Sequence, residues 1–348
     1  MNQRRFLTTL SGKGFIRRGL KRLLLGGLLV LMFPLAVFAQ NFAYVLNQLS
    51  GTASVIATAS NTVVATVAVG PAPFGVAITP NGTLAYVTNG SSNTVSVINT
   101  ANNTLAAIVG VGLAPSGVAI TPDGTRAYVV NAGSYNLVDL LSGNVSVIDI
   151  ASNTVVATVG VGILPFGVAI TPDGTRAYVT NWGDDTVSVI NTASNTVVAT
   201  VGVGTAPFGV AITPDGTRAY VVNTGSYNLF SPLASNVSVL DIGSNTVVAT
   251  IGVGIQPLRV AITPDGTRAY VTNSGDNTVS VINTASNTVV ATAGVGPTPY
   301  GVAITPDGTR AYITNENSNT VSVINTANNT LVATVGVGSS PSGVAITP

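Results

Sequence analysis

A four-residue signature, Tyr-x-x-Asn, recurs seven times in the chain, at Tyr44, Tyr86, Tyr128, Tyr178, Tyr220, Tyr270 and Tyr312. Four of the intervals are 42 residues and two are 50. A period of this size marks a repeat architecture and restricts the fold more than any local propensity does. In the repeat around Tyr86, four short runs (residues 75–79, 85–89, 95–99 and 105–109) are rich in Val, Ile, Thr and Tyr, which suit a pleated, packed surface. The breaks between runs carry Gly, Pro, Asn and Asp, as in the turn Thr121-Pro122-Asp123-Gly124-Thr125. No stretch after residue 39 sustains a 3.6-residue period, so almost no helix is expected.

Within Gly75-Val76-Ala77-Ile78-Thr79, Val76 and Ile78 share one face and Ala77 takes the other. Both faces are apolar or small, the pattern of a sheet covered on both sides. Four-stranded antiparallel sheets standing face to face around an axis meet that need. The expected fold is therefore all-β, a seven-bladed β-propeller. The first repeat starts on its second strand at Phe42-Ala43-Tyr44-Val45, and the last segment, Gly343–Pro348, is a first strand. That C-terminal strand is expected to join the first blade and close the ring, which also covers open sheet edges. A parallel β-helix competes poorly, because its rungs are far shorter than 42 residues.

Charge divides the chain. Seven of its 13 basic residues precede residue 23, followed by an apolar run from Leu23 to Phe38 and small residues around Ala39. Residues 1–39 are expected to be a secretory signal peptide cut after Ala39, with the propeller over 40–348 and no membrane span left after cleavage. The apolar run is shorter than a span needs and is interrupted by Gly26, Gly27 and Pro34. The protein is expected in a periplasm, secreted or on the cell surface. Beyond residue 39 there are six Arg, no Lys and 12 acidic residues, a net −6. Phosphate neutralisation needs clustered cations, so nucleic acid is not an expected partner.

The tetrads Tyr86-Val87-Thr88-Asn89, Tyr178-Val179-Thr180-Asn181 and Tyr270-Val271-Thr272-Asn273, with their Pro-Asp-Gly-Thr-Arg-Ala and Val-Ser-Val-Ile-Asn-Thr flanks, resemble the YVTN-type β-propeller repeat family over residues 41–348. Departures are Val130 and Val222 in place of Thr, Leu46 in place of Thr, and Ile313 in place of Val. The resemblance implies seven blades and an extracytoplasmic setting, similar to surface-layer proteins. It implies no reaction, since fold and function separate readily on propellers.

Candidate site residues come from differences among repeats. The loops after the second and fourth strands of a propeller repeat share one face, here termed the top. Two repeats carry insertions there, with Tyr135 in one and Tyr227 and Phe230 in the other. The single Trp, Trp182, lies in such a loop with Asp184 and Asp185, a pair of carboxylates that suggests a calcium site. The Pro-x-Gly segments carry Phe74, Ser116, Phe166, Phe208, Leu258, Tyr300 and Ser342 at x, an uneven apolar rim at the channel mouth. Arg259 stands where the other six repeats have Gly, and beside Leu258 and Tyr300 it suggests an anion contact. The alternating Asp and Arg of the Asp-Gly-Thr-Arg turns read as surface turns with local or blade-to-blade ion pairs. The chain has no His and no Cys, and no Ser or Thr with a recognisable activating partner, so no catalytic or metal-ligating residue is assigned. The expected role is binding of a protein or cell-envelope component, or surface assembly, without a cofactor. The alternative is a metal-assisted hydrolase or lactonase using top-face carboxylates.

Overall fold

The structure, a computed structural model, describes residues 40–133, 142–225 and 235–348. The expected signal peptide lies outside the described residues. Seven four-stranded antiparallel sheets form the seven blades of a propeller. Blade 2 is typical: strand a Pro73–Ile78, strand b Leu84–Asn89, strand c Thr94–Asn99 and strand d Thr104–Gly110. The a strands of successive blades lie side by side in a closed inner ring, and the d strands form the outer rim. The only helix among the described residues is one 3₁₀ turn, Glu316–Ser318.

Ring closure follows the expected route. In blade 1, strand a is Pro341–Ile346 and strands b to d are Phe42–Asn47, Thr52–Ala57 and Thr62–Ala68. Tyr44 pairs with Ala345 and Val45 with Val344. Strand a starts two residues before its expected position. Pro73 already faces Asn89, and a bulge separates that pair from Val76 and Val87. The bulge tolerates Pro, which has no N–H for a regular ladder.

The core lies between blades. Tyr178, Val187, Val189 and Val201 of blade 4 pack against Ala219, Val221, Leu240 and Ile242 of blade 5. Equivalent clusters fill the other six interfaces. Each buried Val or Leu is worth about 1.5–3 kcal/mol, so no blade is stable without its neighbours. Strand d is the one that shows large apolar side chains to solvent, as at Val197 and Val198.

A hydrogen-bonded girdle reinforces the packing. The hydroxyl of each tetrad tyrosine donates to an asparagine in the c–d turn of the next blade, from Tyr44 to Asn103 at 2.5 Å through Tyr220 to Asn287 at 2.8 Å, and finally Tyr312 to Asn61 at 2.6 Å. The accepting asparagines hold φ near +55°, among them Asn61 at 54° and Asn287 at 53°, a conformation Asn tolerates better than most residues. The rings are fully buried, and burial pushes the phenols of Tyr44, Tyr86 and Tyr312 up to about 12.

Candidate functional site

The two faces of the ring differ in kind. On the bottom, the a–b turns are closed by their own side chains. Asp173 accepts from the Thr171 hydroxyl and from the Thr175 amide and hydroxyl, and the Thr171 bond is the main cause of its depressed pKa. Asp123, Asp215 and Asp265 repeat the arrangement. The expected Asp–Arg ion pairing takes another form. Arg126 pairs with Asp149 and Arg218 with Asp241, from strand b to strand c of one blade, because the turn carboxylates are already occupied. Arg176 instead donates to the Ile242 carbonyl of the next blade at 3.0 Å. These surface links contribute roughly 0–1 kcal/mol each.

On the top, the residue before each Pro-x-Gly adopts positive φ, from 47° at Leu164 to 56° at Ala206. Such backbone costs about 1–3 kcal/mol and persists only where its surroundings hold it. Loop bonds hold it here. The Ala206 amide donates to Asp185 Oδ1 at 2.8 Å, and the Ala206 carbonyl accepts from the Thr224 amide at 3.0 Å. Asn93, Asn277 and Asn319 do the same for Ala114, Thr298 and Ser340. Asp184 points the other way, accepting from the Ile163 amide at 2.6 Å, and Asp276 likewise accepts from Ile255 at 2.6 Å. Glu316 accepts from the Ser340 hydroxyl at 3.0 Å. Asp184 and Asp185 thus serve two separate loops, and no three acidic residues cluster among the described residues.

The channel mouth is where the described top-face residues converge. Phe74, Phe166, Phe208, Leu258 and Tyr300 form one cluster, with Trp182 packed at its edge. Phe166 stacks on Phe208 at 4.7 Å, Trp182 meets Phe166 edge-on at 6.5 Å, and Tyr300 meets Phe74 edge-on at 5.7 Å. The Arg259 guanidinium sits among them, 4.9 Å from the Phe208 ring centre, 5.4 Å from Phe74 and 5.8 Å from Tyr300. Three rings from three blades therefore face one cation, with Phe166 of a fourth blade stacked on Phe208. Leu258, expected beside Arg259, belongs to the same cluster and adds an aliphatic side chain to it.

The mouth is built on a side-chain exchange that sequence reasoning missed. The tetrad Thr of blade 4, Thr180, accepts from the Gly167 amide at 2.8 Å and donates to the Phe208 carbonyl of the next blade at 2.8 Å. Thr88, Thr272 and Thr314 make the same clip. Where Val130 or Leu46 replaces Thr, the x residue is Ser116 or Ser342, whose hydroxyl reaches the next blade instead, to Phe166 O at 3.1 Å and Pro73 O at 3.0 Å. In blade 5, with Val222, Thr224 donates to the Pro257 carbonyl at 3.0 Å. The signal was present as covariation between the two positions across repeats. The Tyr–Asn girdle was legible in the same way, since both partners recur in every repeat. Of the expected contact residues, the structure brings Trp182, Arg259 and Tyr300 together and sets Asp184 and Asp185 apart in the loop skeleton. Tyr135, Tyr227 and Phe230 lie outside the described residues.

Comparison with known proteins agrees with this architecture. Among solved structures, hydrazine synthase of Kuenenia stuttgartiensis is similar, with a TM-score of 0.74 and 25% identity over 82% of this chain and 92% of that one. A functionally unknown protein from Desulfotomaculum acetoxidans aligns with a TM-score of 0.76 and 22% identity, over 88% of this chain and 99% of that one. No curated protein matches. The choice-of-anchor I domain matches twice, over residues 138–300 and 185–343, overlapping stretches that together span more than half of the chain. By that match, and with a seven-bladed ring in place, the chain belongs to the choice-of-anchor I domain family.

Proposed function

We propose that the protein is an exported, YVTN-type propeller that works at the cell surface, binding a protein or envelope component through its top face and having no catalytic role. The observation that carries this reading is the contrast between the faces. The bottom is a set of near-identical turns bonded to themselves. The top gathers Trp182, Phe166, Phe208, Phe74 and Tyr300 into one aromatic patch around the channel. Aromatic side chains and Arg are the residues that anchor interfaces. The family's anchor designation and the basic-then-apolar start of the chain favour a surface setting. The rim adds to the case for assembly. Val63, Val64, Val197, Val198, Val289 and Val290 are all exposed on edge strands that carry no charge, where proteins usually place Lys or Pro.

The test combines localisation with partner capture. Protease treatment of intact cells is expected to remove the protein while a cytoplasmic marker survives. Capture from the cell envelope is expected to fail for Trp182→Ala combined with Phe166→Ala and to persist for Arg176→Ala on the bottom. The reverse pattern overturns the assignment of the top face.

A further inference from the structure

We propose that the channel mouth holds a small organic anion, a monocarboxylate with an apolar body, with Arg259 as its charge partner. This goes beyond the partner-binding reading and does not depend on it.

The first argument is what Arg259 displaces. At Gly75, Gly117, Gly167, Gly209, Gly301 and Gly343, an added Cβ would stand 2.3–2.6 Å from a carbonyl oxygen of the next blade. The inner ring is thus packed to a distance only glycine allows. Arg259 occupies the seventh equivalent position, and the Thr272 hydroxyl that accepts from its amide stands at 3.1 Å, where Gly167 and Gly301 show 2.8 Å and 2.7 Å. A large side chain at this position works against the scaffold. Nothing in blade 6 otherwise departs from the shared clip, since Thr272 still reaches the Tyr300 carbonyl at 2.8 Å.

The second argument is what the guanidinium lacks. Three rings face it, yet among the described residues no carboxylate and no carbonyl accepts from its N–H groups. A guanidinium carries five donors in a planar fork that matches a carboxylate edge-on. The rings occupy its neighbourhood as apolar walls and leave that fork unmatched. The top-face acids among the described residues cannot serve, because Asp184, Asp185, Asp276 and Glu316 are committed to loop amides and a hydroxyl.

The third argument is space. A cavity of about 130 Å³ adjoins Arg259 in the channel, lined by Phe74 and by the Gly and Val residues of the inner strands, such as Val76, Val168 and Val302. By size alone, a cavity of roughly 150 Å³ is enough for a benzene molecule. The space therefore suits one aromatic ring or a four- to five-carbon chain, with its carboxylate on Arg259. An inorganic anion would satisfy the fork but make no use of the Phe74 ring and the channel valines, which share the lining with backbone polar groups. The net −6 of the folded part gives no long-range attraction, so selection is local and the expected Kd is on the order of millimolar.

Trp182, the only tryptophan, touches Phe166, which stacks on Phe208, so its fluorescence reports on the mouth. The purified protein is titrated with benzoate, butyrate, benzamide and inorganic phosphate, followed by Trp182 emission and by saturation-transfer NMR on the ligand. Benzoate or butyrate is expected to bind saturably, with benzamide and phosphate at least 10-fold weaker. Arg259→Gly restores the residue of the other six repeats, so it is expected to fold, and to lose carboxylate binding by at least 10-fold. Arg259→Lys, which keeps charge without the fork, is expected to fall between. Equal benzoate binding by Arg259→Gly, equal binding of benzamide or phosphate by the parent protein, or no saturable carboxylate binding at all would each overturn the proposal. A carboxylate site with no envelope partner, or the converse, separates this outcome from that of the partner-binding reading.

Discussion

Removing one link of the tyrosine girdle tests whether blade-to-blade hydrogen bonds, and not packing alone, hold the ring. In Tyr220→Phe the ring keeps its buried place and only the hydroxyl is lost, bonded to Asn287 Oδ1 at 2.8 Å and more weakly to the Thr284 carbonyl at 3.3 Å. Asn287 is partly exposed, so water can replace the lost donor. The cost should then sit near ~1 kcal/mol, below the ~3 kcal/mol of a fully orphaned group. The acceptor side discriminates further. Asn287 holds φ at 53°, so Asn287→Gly loses the bond but relaxes the backbone, for a net cost well under ~1 kcal/mol. Asn287→Ala loses the bond and adds about 1–2 kcal/mol of left-handed strain. In the double variant Tyr220→Phe with Asn287→Gly the bond is lost once, giving a coupling of about 1 kcal/mol. Guanidinium denaturation at pH 7 measures all four, and an unchanged m-value shows that only stability has moved. Strict additivity, or no cost for Tyr220→Phe, would refute the reasoning. Seven such links together would contribute about 7 kcal/mol, comparable with the whole stability of a typical domain.

The girdle also sets an alkaline limit. An unfolded tyrosine ionises near 10, and the buried phenols of Tyr44, Tyr86 and Tyr312 are pushed up to about 12. Because the fold holds the neutral form, this stabilisation is complete below about pH 10 and is lost as pH rises through about 12. Beyond the share of the three tyrosines outside the girdle, absorbance at 295 nm should therefore rise together with loss of the β-sheet circular dichroism; titration of more than three of the ten phenols near pH 10 with the spectrum intact would contradict this. Two glycines make a matched pair for the inner ring. Gly167→Ala drives a Cβ to 2.4 Å from the Phe208 carbonyl and should cost about 1–3 kcal/mol in denaturant melts, while Gly160→Ala, with open space around it, should cost less than 1; equal costs would be inconsistent with the close approach of a strands. Finally, since Asp184 and Asp185 serve different amides, EDTA and millimolar calcium should leave Tm unchanged, and a calcium-dependent rise would revive the calcium reading.

The ring was legible in the sequence because its determinants are periodic. Seven tetrads count the blades, and the early start at Phe42 implies where Pro341–Ile346 must pair. The beginning of strand a was less legible, since Pro73 reads as a turn residue until the bulge after it is seen. The site was legible only in parts. Position within the repeat places Phe74, Phe208 and Tyr300 on one rim, but their approach to Arg259 depends on how far each ring leans across the axis, a property of the whole circle. The acidic pair misled for a local reason. Asp185 sits at φ 57° in the turn, so neighbouring carboxylates depart in opposite directions although they adjoin in sequence.

Blade 1 borrows its innermost strand from the far end of the chain, and that loan is transferable. Pro341–Ile346 and Pro115–Ile120 spell the same six residues, and each faces a b strand lacking the tetrad Thr, with Leu46 and Val130 in its place. Without the borrowed strand, Phe42–Asn47 would be left unpaired on its inner side and the ring open, an edge ready to accept a strand from another molecule. Within one molecule the tail's effective concentration is millimolar or higher, which favours the solitary ring in dilute solution.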